Sequence, residues 1–453
     1  MKVITTYRQS ANRNRRITDN LHYLQKFKKF LIPSMISMAL LAVYTFTDSF
    51  VIGQKLGSTA LGAMGICTPV ITLTYAFGYL FGKGGAALYS IALGKNDTED
   101  AKILHNTSEF CMLIFGVAVA VVLNIFIVPF AGFLGADSSN MEYVIPYLRV
   151  VLIAIPALML EISTTCYVNN DGHPNISMAA TVVAVISNVI LDFVFVYAFG
   201  WGMFGAAFAT VFCSFMGTVI KLIYMFIRST SLKLSLKLVR LSRLGRIIGS
   251  GFSSLILESS SAIVTFVFIA QAIRYYGSSG SVIYTVILNW SLIAVNLVIG
   301  VSEAAQPLVS LSFGMKDQDG LKAYLRYSVA FSLLLGVVFE IIGYAFTPQL
   351  VTVFANDNPE LIQTIIQCMR MYLPAFLLMG ISICIGSYFQ AIGKSIQSFV
   401  IMILRGIILP VVLAFALPMQ LGATSLWFAT PAAELITACI AVFILISENS
   451  KAV

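Results

Sequence analysis

The chain is written twice. Gly94-Lys95-Asn96-Asp97 followed by Lys102 recurs as Gly314-Met315-Lys316-Asp317 followed by Lys322, an offset of 314 − 94 = 220. Tyr167 and Gly172 recur as Tyr388 and Gly393 at an offset of 221, and Ala209-Thr210 recurs as Ala429-Thr430 at 220. Ile52 and Gln54 recur as Ile269 and Gln271 at 217, so an insertion of 220 − 217 = 3 residues separates the pairs. A spacing held from Ile52 to Thr210 in one half, and from Ile269 to Thr430 in the other, marks an internal duplication. Each half holds an even number of apolar segments, so both enter a membrane in the same sense. The halves are then related by an axis along the membrane normal, with a cleft between them.

The segments are membrane spans because 58% of the 453 residues are hydrophobic and 11% charged. A soluble chain carries about a quarter charged residues. Twelve runs are long enough for a hydrocarbon core that needs roughly 20 residues each. They fall near 30–54, 60–92, 107–133, 142–168, 175–200, 204–228, 246–274, 281–312, 323–347, 361–389, 396–418 and 422–446. The expected fold is an all-α membrane protein with two six-helix bundles, 30–228 and 246–446. A basic segment 1–29 precedes them, a linker 229–245 joins them, and a tail 447–453 follows.

Lys and Arg concentrate in the first 29 residues, in the central linker and in the connections after segments two, eight and ten; Lys55 and Arg274 are the exceptions. The positive-inside bias puts those connections and both termini in the cytoplasm. The net charge of +8 is this orientation signal, and it gives no reason to expect a nucleic-acid partner. No connection is long enough for a nucleotide-binding domain. Gly393-Lys394-Ser395 resembles the end of a P-loop, but Tyr388 stands where the first glycine is required. The seven cysteines are scattered through apolar segments without CxxC spacing, so neither a disulfide framework nor a metal site is expected.

Ionisable groups inside the spans carry the chemistry, because each is costly there unless paired or hydrated. Seven acids stand out: Asp48, Glu161, Asp192, Glu258, Glu303, Glu340 and Glu434, beside the bases Lys83, Arg149, Arg370 and Arg405. The bland reading pairs each acid with a base in a fixed bundle. Asp48, Asn188, Asp192 and Thr210 escape it on depth. Asp48 and Asp192 each lie about 18 residues, or ~27 Å at 1.5 Å per residue, from the inner ends of segments one and five. Thr210 lies about six residues from the outer end of segment six, at the same level. Asn188 precedes Asp192 by four, so both share a helix face. No intramembrane Lys or Arg is expected in these three segments. Two such carboxylates cannot both stay ionised cheaply, so one must hold a proton or the pair must hold a cation.

The second half does not copy this site. Thr265 stands at the repeat position of Asp48, and that of Asp192 falls near Val412. Glu258 in segment seven is its main candidate for a second ion or substrate site. Lys83 and Glu303 are repeat partners, 303 − 83 = 220, with opposite charge. Snorkelling of Lys83 to the interface is the simpler expectation; a pair across the axis, latching an inner gate, is the sharper one.

These residues resemble the multidrug and toxic compound extrusion (MATE) family along the whole chain. Pro33 through Thr47-Asp48-Ser49-Phe50-Val51-Ile52-Gly53, then Leu56-Gly57 and Ala60-Leu61, read like that family's first helix. Asn188 to Asp192 resembles its fifth, Gln306-Pro307-Leu308 before Gly314 its eighth, and Gln390 to Lys394 its tenth-to-eleventh turn. The resemblance implies a V-shaped, twelve-helix antiporter that exports bulky lipophilic, often cationic, compounds in exchange for H⁺ or Na⁺. It also implies an amino-lobe cation site at Asp48, Asn188, Asp192 and Thr210. A carboxyl-lobe Na⁺ site would pair Glu258 with an acid that segment ten lacks.

The reading is a cell-membrane antiporter, not an enzyme. It acts as a monomer among bilayer lipids on small-molecule substrates, with no cofactor beyond the coupling ion and no metal beyond a Na⁺ at that site. A flippase for a lipid-linked saccharide is the nearest rival, but an anionic pyrophosphate calls for a cationic cleft, and the acids outnumber the bases. A membrane-embedded transferase would need clustered aspartates or a His-Asp pair at a membrane face. On sequence, His22, His105 and His173 offer neither.

Overall fold

The computed structural model describes residues 2–56, 58–138, 140–277, 279–352 and 359–450. Gly57, the side chains of Ser49 and Leu61, the basic side chains from Lys2 to Arg16 and the last three residues of the tail lie outside that description. Among the described residues, all regular structure is helical.

The first bundle consists of α1 (Lys2–Leu56), α2 (Ser58–Gly94), α3 (Thr98–Ile125), the short α4 (Ile127–Phe133), α5 (Met141–Asn170), α6 (Pro174–Asp192) and α7 (Gly202–Ile227). The second consists of α8 (Leu244–Tyr276), α9 (Ser279–Gly314), α10 (Gln318–Thr352), α11 (Pro359–Tyr372), α12 (Ala375–Ala391), α13 (Ser395–Ile403), α14 (Leu409–Leu421) and α15 (Ala429–Ser450). Eleven helical stretches are long and apolar enough to span a membrane, and the second half of α1 supplies the twelfth. Three departures from simple rods matter. The basic segment is not separate, since α1 runs from Lys2 through it into the first span. The tenth span breaks between α11 and α12, where Pro374 caps the second piece. Spans five and eleven each carry a π-helical turn, at Phe193–Ala198 and Leu404–Ile408.

Twelve crossings put both chain ends on one face, called here the terminal face. The repeat is visible in the backbone at that face. Asn96 and Lys316, 220 apart, are the only described non-glycine residues in the left-handed region, at φ 59° and 60°. Each precedes an aspartate that caps the next helix: Asp97 accepts from Asp100 N, and Asp317 from Gly320 N, both at 2.9 Å. Gly172 and Gly393 make the corresponding turns after spans four and ten at φ +89° and +77°. Gly393-Lys394-Ser395 is therefore a helix-ending turn, and Lys394 is engaged by Glu448.

The pseudo-axis can be located from residues that meet their own repeat partners. A Cβ placed on Gly94 would stand 2.7 Å from the Cα of Gly314, and one on Gly314 would stand 2.8 Å from the Cα of Gly94. Lys83 and Glu303 meet in the same way. The axis thus passes between α2 and α9 near the terminal face. The bundles join along α1 with α9 and along α2 with α8 and α9. A Cβ on Gly84 would fall 2.7 Å from Gly251 N, so only glycines allow that approach.

Candidate functional site

In the first bundle, α1, α6 and α7 bring Asp48, Asn188, Asp192 and Thr210 together. All four are buried, at 5%, 0%, 1% and 5% exposure. Thr210 Oγ1 donates to Asp48 Oδ2 at 3.2 Å, and Asp48 lies alongside Asn188 and Asp192. Asp192 ends α6 where the π turn begins; such a turn shifts the register of the side chains that follow it. Five atoms of the cluster are buried with no hydrogen-bond partner: Asp48 Oδ1, both Asp192 oxygens, and Oδ1 and Nδ2 of Asn188. A hard oxygen-rich set of this kind suits a proton or a Na⁺ ion. Among the described residues no group of three or more His, Cys, Asp or Glu could hold a metal, and this cluster supplies only two acids.

Tyrosines that sequence reasoning passed over wall the cluster. Tyr44, one helical turn before Asp48, lies near Asp48 and Thr210 with its hydroxyl buried and unbonded, and Tyr75 and the fully buried Tyr147 stand near Asp48. The i, i+4 spacing of Tyr44 and Asp48 was the available signal.

Two buried ionisable groups were also missed. Glu109 of α3 accepts a 2.6 Å bond from Ser163, and Lys221 of α7 donates to Glu161 O at 2.8 Å and to Thr165 Oγ1 at 2.7 Å. Segment six, expected to be free of intramembrane bases, therefore carries one. It serves Glu161, whose carboxyl faces Lys221 and Ser214; among the described residues no cation pairs with Asp48 or Asp192.

Lys83 does not snorkel. Its Nζ lies 3.2 Å from Glu303 Oε1, with the two side chains 12% and 14% exposed, and 4.1 Å from the centre of the Tyr79 ring. Glu258, expected as a separate second site, lies within electrostatic reach of this pair across the bundle junction. Glu303 and Tyr79 also border a cavity of about 80 Å³ lined by Met38, Glu161, Thr165 and Asn169. Two further links close the terminal face. Asn170 Nδ2 donates to Gln306 Oε1 at 3.1 Å. The Tyr23 hydroxyl reaches both Asp317 oxygens at 3.0 and 3.1 Å.

The second bundle satisfies its acid. Arg405 NH2 sits 2.9 Å from Glu434 Oε1, while its Nε and the Ser382 hydroxyl donate to Oε2 at 3.2 and 2.8 Å. Thr265 and Thr430, which repeat Asp48 and Thr210, rest against Tyr284 and Tyr372. Val412 is 53% exposed, on the outside of its bundle.

His173 has an aspartate neighbour after all. The Tyr224 hydroxyl donates to Asp171 Oδ2 and lies 2.6 Å from His173 Nδ1. Tyr89 and Ser231 hold the other Asp171 oxygen, at 2.5 and 3.2 Å. Asp171 is thereby fully engaged as a clasp between helix ends and linker.

Two like bundles of membrane-spanning helices, one with buried unpaired carboxylates, define the class: a polytopic secondary transporter. The MatE family model matches residues 33–194 and 250–416, one stretch in each bundle, and their starts differ by 250 − 33 = 217. The chain belongs to the MatE family. The multidrug export protein MepA of Staphylococcus saprophyticus is 26% identical over 438 residues, spanning 94% of this chain and 96% of that protein. MepA of Staphylococcus haemolyticus is 24% identical over 93% of each. An outward-facing multidrug resistance MATE family transporter of the MOP superfamily superposes with a TM-score of 0.88, at 22% identity and over 94% of this chain and 96% of that one. A MOP superfamily transporter from Pyrococcus furiosus, described as having reversed polarity in its binding pocket, gives 0.88 over 94% and 95%. These structures share the fold.

Proposed function

We propose that the chain is a cell-membrane antiporter that exports lipophilic, cationic small molecules in exchange for H⁺ or Na⁺. The observation that carries this reading is the buried Asp48–Asn188–Asp192–Thr210 cluster, with two carboxylates and, among the described residues, no cation bonded to either. Water-poor surroundings make two adjacent carboxylates demand a positive charge. An inbound ion and an outbound cationic substrate can supply it in turn, which makes binding of one depend on release of the other. The name of the MepA relatives supports multidrug compounds as the cargo.

The terminal face carries Lys26, Lys28, Lys29 and the basic linker, so it faces the cytoplasm. With Lys83–Glu303, Tyr23–Asp317 and the glycine contacts made, the arrangement is closed on that side, and Lys83 and Glu303 act as its inner gate. Opening inward parts these contacts and hydrates both charges. Glu258 acts beside the gate rather than as an independent ion site.

Transport into liposomes with pH and Na⁺ gradients imposed separately tests the proposal. Uptake of a fluorescent lipophilic cation should follow one of these gradients in the native chain and neither in Asp192→Asn. Cation movement that ignores both gradients would overturn it, and headgroup-specific lipid movement would favour the flippase.

A further inference from the structure

We infer that the linker and α3 form a binding site for an anionic phospholipid. The linker reads Ser231-Leu-Lys-Leu-Ser-Leu-Lys-Leu238, with leucine at every even position. An extended chain sends Leu232 and Leu234 to one side and Lys233 to the other; Ser235 is extended, at φ −152° and ψ 116°, and Leu236–Leu238 then forms a single 3-10 turn that carries Lys237. Leu232 is fully buried, but Leu234 and Leu236 are 42% and 73% exposed. The leucine row therefore leaves the protein core and runs along its edge.

Asn106 of α3 sets the linker's position as a strand neighbour would. It accepts from Ser235 N at 2.5 Å and donates to Lys233 O at 3.2 Å. Thr107 accepts from Arg240 N at 2.9 Å, and Arg243 pairs with Asp100 at 2.7 Å. Between helix and linker lies a groove of about 170 Å³, walled by Phe110, Leu113, Leu234, Leu236 and Val239. Asn106, Phe110 and Leu113 share one α3 face by helical spacing, and so does Glu109 at its floor. Ile114, Val117 and Val121 continue a lipid-exposed stripe along α3 at 55%, 51% and 53% exposure.

Depth identifies the occupant. Asn106 lies eight residues into α3, about 12 Å from its start, and no charge follows from Phe110 to Ile125, about 24 Å of helix. The groove thus opens where hydrocarbon begins and continues as an apolar stripe, the path of an acyl chain. Lys233 and Lys237 are exposed at its mouth, where a headgroup phosphate would sit. Glu109 keeps one oxygen buried and unpartnered at the floor, so a lipophilic cation is the competing occupant.

The test uses the full chain in lipid nanodiscs doped with phosphatidylglycerol or phosphatidylcholine bearing a diazirine on the acyl chain. Cross-linked peptides are then mapped. Phosphatidylglycerol should label 106–113 and 234–239, and the Lys233→Gln/Lys237→Gln variant should reduce that labelling roughly tenfold while leaving phosphatidylcholine unchanged. Leu113→Trp, which fills the groove, should reduce it as well. Equal labelling by the two lipids, or phosphatidylglycerol labelling that survives both variants, would overturn the site. So would labelling displaced by tetraphenylphosphonium and dependent on Glu109 instead of the lysines, which would assign the groove to lipophilic cations.

Discussion

The two bundles descend from one plan and treat buried charge in opposite ways. In the second, Glu434 is held by Arg405 and Ser382, and the threonines at the other repeat positions rest on tyrosines. That acid has permanent partners, which leaves none of its oxygens open to an ion. In the first, Asp48 and Asp192 have an amide and a hydroxyl for neighbours and three carboxylate oxygens without partners. The scaffold is shared, and the difference lies in which half leaves its charge unanswered. A buried ion pair specifies packing, whereas an unpaired carboxylate pair specifies a ligand.

The sharpest way to break this comparison is to neutralise each half in turn. Asp48→Asn or Asp192→Asn should abolish gradient-driven export while detergent unfolding temperatures stay near the native value. Normal export by both variants would make the cluster structural. Arg405→Leu should do the reverse in kind: it strands Glu434 and costs about 3–5 kcal/mol of stability. Arg405→Leu combined with Glu434→Leu should recover most of that loss, and whatever transport remains should keep its ion dependence. A changed coupling ion would show that the second bundle takes part.

Glu258→Gln offers an intermediate case, because Glu258 stands at the junction. It should slow efflux less than Asp192→Asn at matched expression, and a more severe defect would move the coupling site. The smallest effect is expected at the gate. Lys83→Ala or Glu303→Ala should raise the inward-open population by an amount worth about 1–3 kcal/mol. The exchange Lys83→Glu with Glu303→Lys should restore part of the balance. Cysteine labelling from the cytoplasmic side reads this out once the exposed Cys439 is replaced. Unchanged labelling in both single variants would remove the gate.

Much of this was legible because periodicity and depth are properties of the chain itself. The offset of 220 located the turns at Asn96 and Lys316, and counting along helices put Asp48, Asn188, Asp192 and Thr210 at one level. What escaped was held by partners on other helices. Lys221 sits two turns from the end of its span, where a lysine ordinarily snorkels, and the backbone oxygen of Glu161 and the hydroxyl of Thr165 keep it inside. Lys83 misled in the same way. The break before α12 was signalled by Pro374 but hidden inside a continuous apolar run, and no spacing announces that Tyr224 joins His173 to Asp171.

The contact between Lys83 and Glu303 also carries a record of descent. Two identical halves around a two-fold axis must present the same residue to each other wherever the axis passes between them. Glycine tolerates that self-meeting, as Gly94 and Gly314 still do, but lysine facing lysine or glutamate facing glutamate would repel. A pair of opposite charges on the axis is open only to halves whose codons mutate separately. This pair therefore dates from after the duplication, and a protein assembled from two identical six-helix copies could place its inner ion pairs only off the axis, in symmetric twos.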